Sequence, residues 1–217
     1  MLVNNRLALN YEQHTSCFPP LLFATLLLAI LTSLAGCAAT QETISTYVLD
    51  ATPPPKPASL STAKVLLVNT PQTQPGFDSQ GIAYTLTPLA VDYYTKSQWA
   101  DTPALMFAPL VVHTLESTGA FRAVLTPPTP VLDDLRLDID IIRLQQEFYE
   151  TPSKVRFTLR AKLFDVPSGH VLATQLFEVM EPAPSEDAYG GVLAANAAAQ
   201  RMLGEIRDFV LAYALAD

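Results

Sequence analysis

Cysteine is nearly absent from this chain. Only Cys17 and Cys37 occur in 217 residues, and both lie near the N-terminus. Beyond Cys37 there is no thiol for a disulfide, a metal site or a nucleophile. Positive charge is scarce as well: 13 Lys and Arg stand against 21 Asp and Glu, for a formal net charge of −8. That balance argues against a nucleic-acid partner, which requires a basic patch, and against adsorption to anionic headgroups by charge. The two histidines that follow Cys37, His113 and His170, have no metal-ligand spacing to each other or to a carboxylate, so zinc is not expected. The sequence also lacks G-x-S-x-G, a P-loop, G-x-G-x-x-G and H-E-x-x-H. Nothing in it supports an enzyme, a cofactor or a metal centre.

What the chain does have is a short apolar run, Leu21–Leu31, followed by Leu34-Ala35-Gly36-Cys37. A greasy segment ending in small residues and then a cysteine has the form of a bacterial lipobox. A signal peptidase needs small side chains at its cleavage site, and the thiol takes up a diacylglycerol before the cut makes Cys37 the first residue of the mature protein. Each buried methylene contributes about 0.8 kcal/mol, so several acyl chains hold where a single myristoyl chain is marginal. The alternative is a transmembrane anchor, which needs roughly 20 apolar residues. Leu21–Ala39 nearly reaches that length, but Pro19-Pro20 guard the entrance and no Lys or Arg stop-transfer cluster follows Cys37. Either reading puts the remainder outside the cytoplasmic membrane. Residues 1–36 are thus expected to be a signal peptide, 37–42 a lipidated tether and 43–217 one domain. Losing Arg6 and Glu12 leaves the charge unchanged, and about 180 residues suffice for one core.

Thr43–Leu49 has strand composition. The segment 51–61, with Pro53-Pro54-Pro55 and Pro57, reads as a semi-rigid polyproline spacer. Lys64–Asn69 suggests a buried strand, Pro71–Gly76 a loop, and Ile82–Leu86 and Leu89–Tyr94 two further strands around Thr87-Pro88. Thr102-Pro103 is a helix-start signature. Phe107, Leu110, Val111, Thr114 and Leu115 follow at helical spacing until Gly119. Pro109 within that stretch removes a backbone bond at about 3 kcal/mol, so a kink or a later start is expected. Leu135–Phe148 alternates and then slips phase at Ile142 and Leu144, which suggests a bulge or the end of the sheet. Lys154–Phe164 and Val171–Met180 flank a Pro167-Ser168-Gly169 turn. These three strands should form an antiparallel meander closed by Pro182 and Pro184. A long helix is expected after Gly190-Gly191, with Val192, Ala195, Ala199, Met202, Ile206, Phe209 and Tyr213 forming an apolar stripe. There is no evident internal repeat.

Asp138 and Asp140 share one side of a strand, but a cross-strand pair is favoured over acid–base chemistry. With a turn near Thr151, Asp140 would lie opposite Lys162 and diagonal to Arg160. Tyr93, Tyr94 and Trp99 form an aromatic cluster before a helix. Packing between helix and sheet is the favoured reading, and contact with a partner is the functional alternative.

The order of these pieces resembles the ABC-type transport auxiliary lipoprotein family, the outer-membrane partners of MCE-type lipid transporters. The landmarks are the lipobox Leu34–Cys37, the strand Thr46–Leu49, Ile82-Ala83-Tyr84 leading to Tyr93-Tyr94 and Gln98-Trp99-Ala100, and the stretch Gly119–Val124. The strand Leu135–Phe148, the hairpin Leu163–Glu178 and the alanine-rich last helix complete the order. The resemblance implies an α/β domain of α+β type, with a largely antiparallel sheet, a central helix and a long C-terminal helix packed on it. It also implies attachment by palmitate-class acyl chains to the periplasmic face of the outer membrane. Ala38 and Ala39 lack the aspartate that retains lipoproteins at the inner membrane. The implied partners are an MCE-type substrate-binding protein with its ABC permease and ATPase, and some members form homo-oligomeric rings. The cargo would be phospholipid or another hydrophobic compound. Two other functions stay open: a structural adaptor of another outer-membrane complex, and a carrier holding lipid in its own cavity.

Overall fold

Leu135–Glu147 is the axis on which the other elements are assembled. The computed structural model describes residues 43–53, 55–56 and 61–215. The elements run β1 (Ser45–Tyr47), β2 (Val65–Val68), β3 (Gln72–Thr73), β4 (Gly81–Thr85), β5 (Asp92–Trp99), α1 (Pro103–Glu116), β6 (Ala123–Leu125), β7 (Leu135–Glu147), β8 (Lys154–Asp165), β9 (His170–Pro182) and α2 (Ala188–Ala214). On one edge β7 pairs with β8 along its length, and β8 with β9, both antiparallel. Its other edge is shared by three short parallel strands. These are β2 beside Leu135–Leu137, β3 beside Asp140-Ile141 and β4 beside Gln145–Glu147. β4 carries β5 antiparallel and β5 carries β1 parallel, while β2 carries β6. A three-stranded meander therefore opens into two branches, one at each end of a strand roughly 40 Å long. The result is an α+β fold in which most paired residues are antiparallel and both helices pack on the sheet.

Alternation explains which face they cover. Leu135, Leu137, Ile139 and Ile141 of β7 are buried, with Val155, Phe157, Leu159, Ala161 and Leu163 of β8. Phe107 of α1 meets Phe157 edge-on at 5.2 Å between centroids, and Phe209 of α2 meets Phe177 of β9 at 5.6 Å. The α2 stripe Val192, Ala195, Ala199, Met202, Ile206 and Phe209 is buried, while Tyr213 is largely exposed. The phase slip in β7 is a bulge, because the register with β8 jumps between Ile141 and Arg143. Leu144 and Gln146 thereby continue on the covered face.

The structure corrects several expectations. Asp140 stands opposite Arg160, not Lys162. The chain turns half a residue earlier than Thr151, and the Ile142 bulge takes up one more. α1 starts at Thr102, whose hydroxyl accepts from Leu105 N, and runs unbroken through Pro109. The bond that Pro109 cannot make would have ended on the carbonyl of Leu105, and both residues are on the exposed side, where water can replace it. α2 begins before Gly190-Gly191, at Ala188, with Asp187 as N-cap accepting from Gly190 N at 2.7 Å. Both glycines are needed for close approach. A Cβ would lie 2.1 Å from Ser185 O at Gly190 and 2.2 Å from Gln146 Oε1 at Gly191.

The described part of the proline-rich segment is also not a free spacer. Val48 O accepts from Asn196 Nδ2, Asp50 N donates to Asn196 Oδ1 at 2.6 Å, and Thr52 O accepts from Gln200 Nε2. Lys56 pairs with Asp208 at 3.0 Å, and Ala51 and Pro53 are buried. Residues 48–53, with Lys56, form a strap along α2.

Candidate docking surface

The lipobox Leu34, Ala35, Gly36 and the acylation candidate Cys37 lie outside the described residues. The described chain starts at Thr43, and β1 leads it onto the outer edge of β5.

β5 separates the three candidate aromatics. Its pairing with β4 shifts register between Ala83↔Tyr93 and Gly81↔Gln98, so the strand runs on past Tyr94 to Trp99. Trp99 is 2% exposed and belongs to the core, leaving it no surface to offer a partner. Tyr94 is half-buried, its ring tilted 37° against that of Tyr84 with centroids 4.6 Å apart, and its hydroxyl donates to Gln146 Oε1 at 2.9 Å. Burial, with the nearby Tyr84, Asp187 and Glu186, pushes the phenol up to about 12. Tyr93 is 41% exposed, and its hydroxyl donates to Gly76 O at 2.6 Å. Of the three, Tyr93 has the most accessible ring.

Behind Tyr94 lies a buried polar knot. Gln146 Nε2 donates to Ser153 Oγ at 2.9 Å, and Ser153 N donates to Glu186 Oε1 at 2.9 Å. Asp187 caps α2, and its bonds from Gly190 N and Ser185 Oγ hold the carboxyl below the usual range. These contacts fix β5, β7, β8 and the start of α2 together at one end of the domain.

The face of the meander opposite the helices carries charges in pairs. Glu147 is 3% exposed. Arg156 donates to it from Nε at 2.9 Å and from Nη2 at 3.0 Å, and reaches Glu178 at 2.6 Å. Burial alone would raise the Glu147 carboxyl. The bonds from Arg156 and Gln145, with the charges of Arg156 and Arg143, more than offset it and hold the group low. Asp140 pairs with Lys162 at 2.9 Å and Asp138 accepts from Asn69 Nδ2 at 2.6 Å. Both carboxylates are thus engaged, beside an open cleft of about 420 Å³. His113 and His170 sit exposed on separate elements. Among the described residues no group of His, Cys, Asp and Glu could hold a metal ion, and no helix is long and apolar enough to cross a membrane.

The sequence suggests strands around Thr87-Pro88 but assigns Leu86 and Leu89–Val91 to them; in the structure β4 ends at Thr85 and β5 begins at Asp92, so these residues form the hairpin tip. Leu89 at its tip is fully exposed and adopts φ +69°, a left-handed conformation that costs an L-residue roughly 1–2 kcal/mol. Leu86, Val91 and Tyr149 are exposed beside it. The only signal in the sequence was the uncharged stretch Leu86–Val91, which a turn would normally break with polar residues.

The fold and surface define a class: a one-sided α+β domain, with helices on one face and paired charges on the other. The chain belongs to the family of ABC-type transport auxiliary lipoprotein components, whose model matches residues 47–207. Among solved structures, protein XCC0632 of Xanthomonas campestris, of the DUF330 family, is 25% identical with a TM-score of 0.72 over 79% of this chain and 97% of its own. An uncharacterized protein (14% identity, TM-score 0.62, 78% and 99% coverage) and CT253 of Chlamydia trachomatis (12%, 0.50, 72% and 100%) share the fold alone. No curated protein matches the chain significantly.

Proposed function

We propose that this protein is a lipid-anchored accessory component of an MCE-type intermembrane transport system, acting by docking and not by catalysis. Acylated Cys37 would hold it on the periplasmic face of the outer membrane. There it would meet an MCE-type substrate-binding protein served by an ABC permease and ATPase, as a monomer or as a homo-oligomeric ring. The observation that carries this reading is the family domain beginning at residue 47, ten residues after a lipobox cysteine. Tethering confines the domain to the bilayer surface and raises its effective concentration for a partner that spans the periplasm.

The carrier alternative is less favoured. The space between sheet and helices, where a carrier would hold lipid, is filled by Phe107, Phe157, Met202 and Leu203, all fully buried. The adaptor alternative shares the same tether and is separated by partners. Crosslinking in cells followed by purification through the domain should recover an MCE protein. Recovery of an unrelated outer-membrane complex instead would favour the adaptor. Cys37→Ser should abolish acylation, seen as loss of the lipid mass, and move the protein to the soluble periplasm or leave an uncleaved precursor. Unchanged mass and fractionation would refute the anchor.

A further inference from the structure

We propose that the β4–β5 hairpin, through Leu86–Val91, is a second membrane contact that dips into the headgroup layer of the phospholipid bilayer holding Cys37. The inference deepens the reading above and rests on lipid attachment at Cys37.

The tip has the chemistry of an interfacial wedge. Leu86-Thr87-Pro88-Leu89-Ala90-Val91 carries no charge. Leu89 stands fully exposed at φ +69°, in a conformation that favours glycine. A leucine kept at such a position, out of reach of the core, does nothing for the fold that glycine would not do better. Tyr149, from the turn between β7 and β8, lies alongside, with its hydroxyl 3.5 Å from Thr85 Oγ1. It is half-exposed, and an aromatic ring with a hydroxyl suits the membrane–water boundary.

Chain direction selects a bilayer as the occupant. β1 runs parallel to β5 with Ser45 opposite Ser97, so the polypeptide approaches β1 from the direction in which β5 begins, which is the direction of the hairpin tip. Eight residues lead back from Ser45 to Cys37, the same number that lead back from Ser97 to Leu89. Extended, such a length spans at most about 29 Å. The acyl site and Leu89 can therefore share one plane. Leu132, also highly exposed, precedes the opposite end of β7, roughly 40 Å along the strand, and the tether does not lead there. With an overall charge of −8, attraction to lipid here is apolar and not electrostatic.

The test uses the full-length lipidated protein reconstituted into phosphatidylethanolamine–phosphatidylglycerol vesicles. With Cys37 acylated and the signal peptide removed, Ala90→Cys supplies the single free thiol for a spin label, and Leu132→Cys supplies the control. Power saturation with oxygen and a water-soluble nickel complex should place the label at 90 about 5–10 Å below the phosphates and the label at 132 in water. Adding Leu89→Gly, which relieves the backbone, should move the label at 90 toward water without lowering the melting midpoint. A label at 90 as open to nickel as that at 132, on protein that floats with the vesicles, would overturn the hairpin contact and leave the anchor standing. Wild-type protein that does not float would overturn the anchor, and the hairpin contact with it.

Discussion

Replacing Gly191 with alanine sets a helix preference against a packing requirement. Inside a helix alanine is favoured over glycine by about 0.8–1.0 kcal/mol, so the substitution should stabilise if propensity ruled. The structure says otherwise. The new Cβ would stand 2.2 Å from Gln146 Oε1 and 2.9 Å from its Cδ. That amide cannot simply swing aside, since it accepts from Tyr94 and donates to Ser153, both at 2.9 Å. Moving it breaks two hydrogen bonds of roughly 1 kcal/mol each and strands a buried polar group for a further 1 kcal/mol or more. Less the helix gain, the net loss is about 2 kcal/mol, or about 4–8 °C in melting midpoint for a domain of this size. Urea unfolding of the wild type, Gly191→Ala, Gln146→Ala and the double variant measures it as a cycle. With Gln146 truncated there is nothing to strike, and Gly191→Ala should become neutral or mildly stabilising. A Gly191→Ala protein as stable as the wild type would refute the reasoning, and so would the same cost in both backgrounds.

Three other perturbations read two further parts of the molecule. Because the folded carboxyl of Glu147 lies below its ordinary value of 4.5, the unfolded chain binds its proton first as pH falls. The stabilisation is full above that value and is lost as pH drops through the folded pKa. Acid unfolding should therefore show the wild type's advantage over Glu147→Gln shrinking below about pH 4.5, and a constant advantage would contradict the pairing. Arg156→Met leaves the same buried carboxylate with the Gln145 amide at 2.9 Å and, as its cation, Arg143 at 3.9 Å; it should cost about 3 kcal/mol, the low end for breaking a buried pair, read by urea denaturation. Asn196→Ala removes both bonds that clip Val48–Asp50 to α2. It should cost about 1–2 kcal/mol, accelerate hydrogen exchange at Asp50 and open residues 51–61 to protease. Exchange at Asp50 equal to wild type would mean that the strap is held elsewhere.

Long periodic segments were legible because their signal repeats. The meander followed from strict alternation in 135–148 and 154–164, and the single break in phase at Ile142 marked the observed bulge. Thr102-Pro103 marked the start of α1 because cap chemistry is local. What was not legible depends on distant contacts. Gly190-Gly191 looks like a break before a helix, and only the proximity of Ser185 and Gln146 explains two glycines inside its first turn. β3 and β6 have two and three residues, too few for any period to show. The strand register failed by two residues because a turn and a bulge each contributed an offset that no pattern reveals. For the site, Trp99 was legible as packing. The hairpin tip was not, since a positive φ at a leucine has no sequence signature.

The strap changes what the lipid tether can do. Read as a free polyproline spacer, residues 51–61 would let the segment before them stand up to about 34 Å from the rest of the domain at 3.1 Å per residue. Their described part instead runs along α2, through Val48 at Asn196, Thr52 at Gln200 and Lys56 at Asp208. With Cys37 acylated as proposed, the eight residues from it to Ser45 set the reach, at most about 29 Å. A short tether joined to the rigid edge of a sheet restrains orientation as well as distance, which a long spacer would not. On the proposed attachment at Cys37, the end of the domain holding the hairpin tip and the capped start of α2 would face the bilayer, leaving the far end of β7 for a docking partner. Orientation of this kind lowers the entropy that a docking partner must supply, which is the contribution the proposed accessory role calls for.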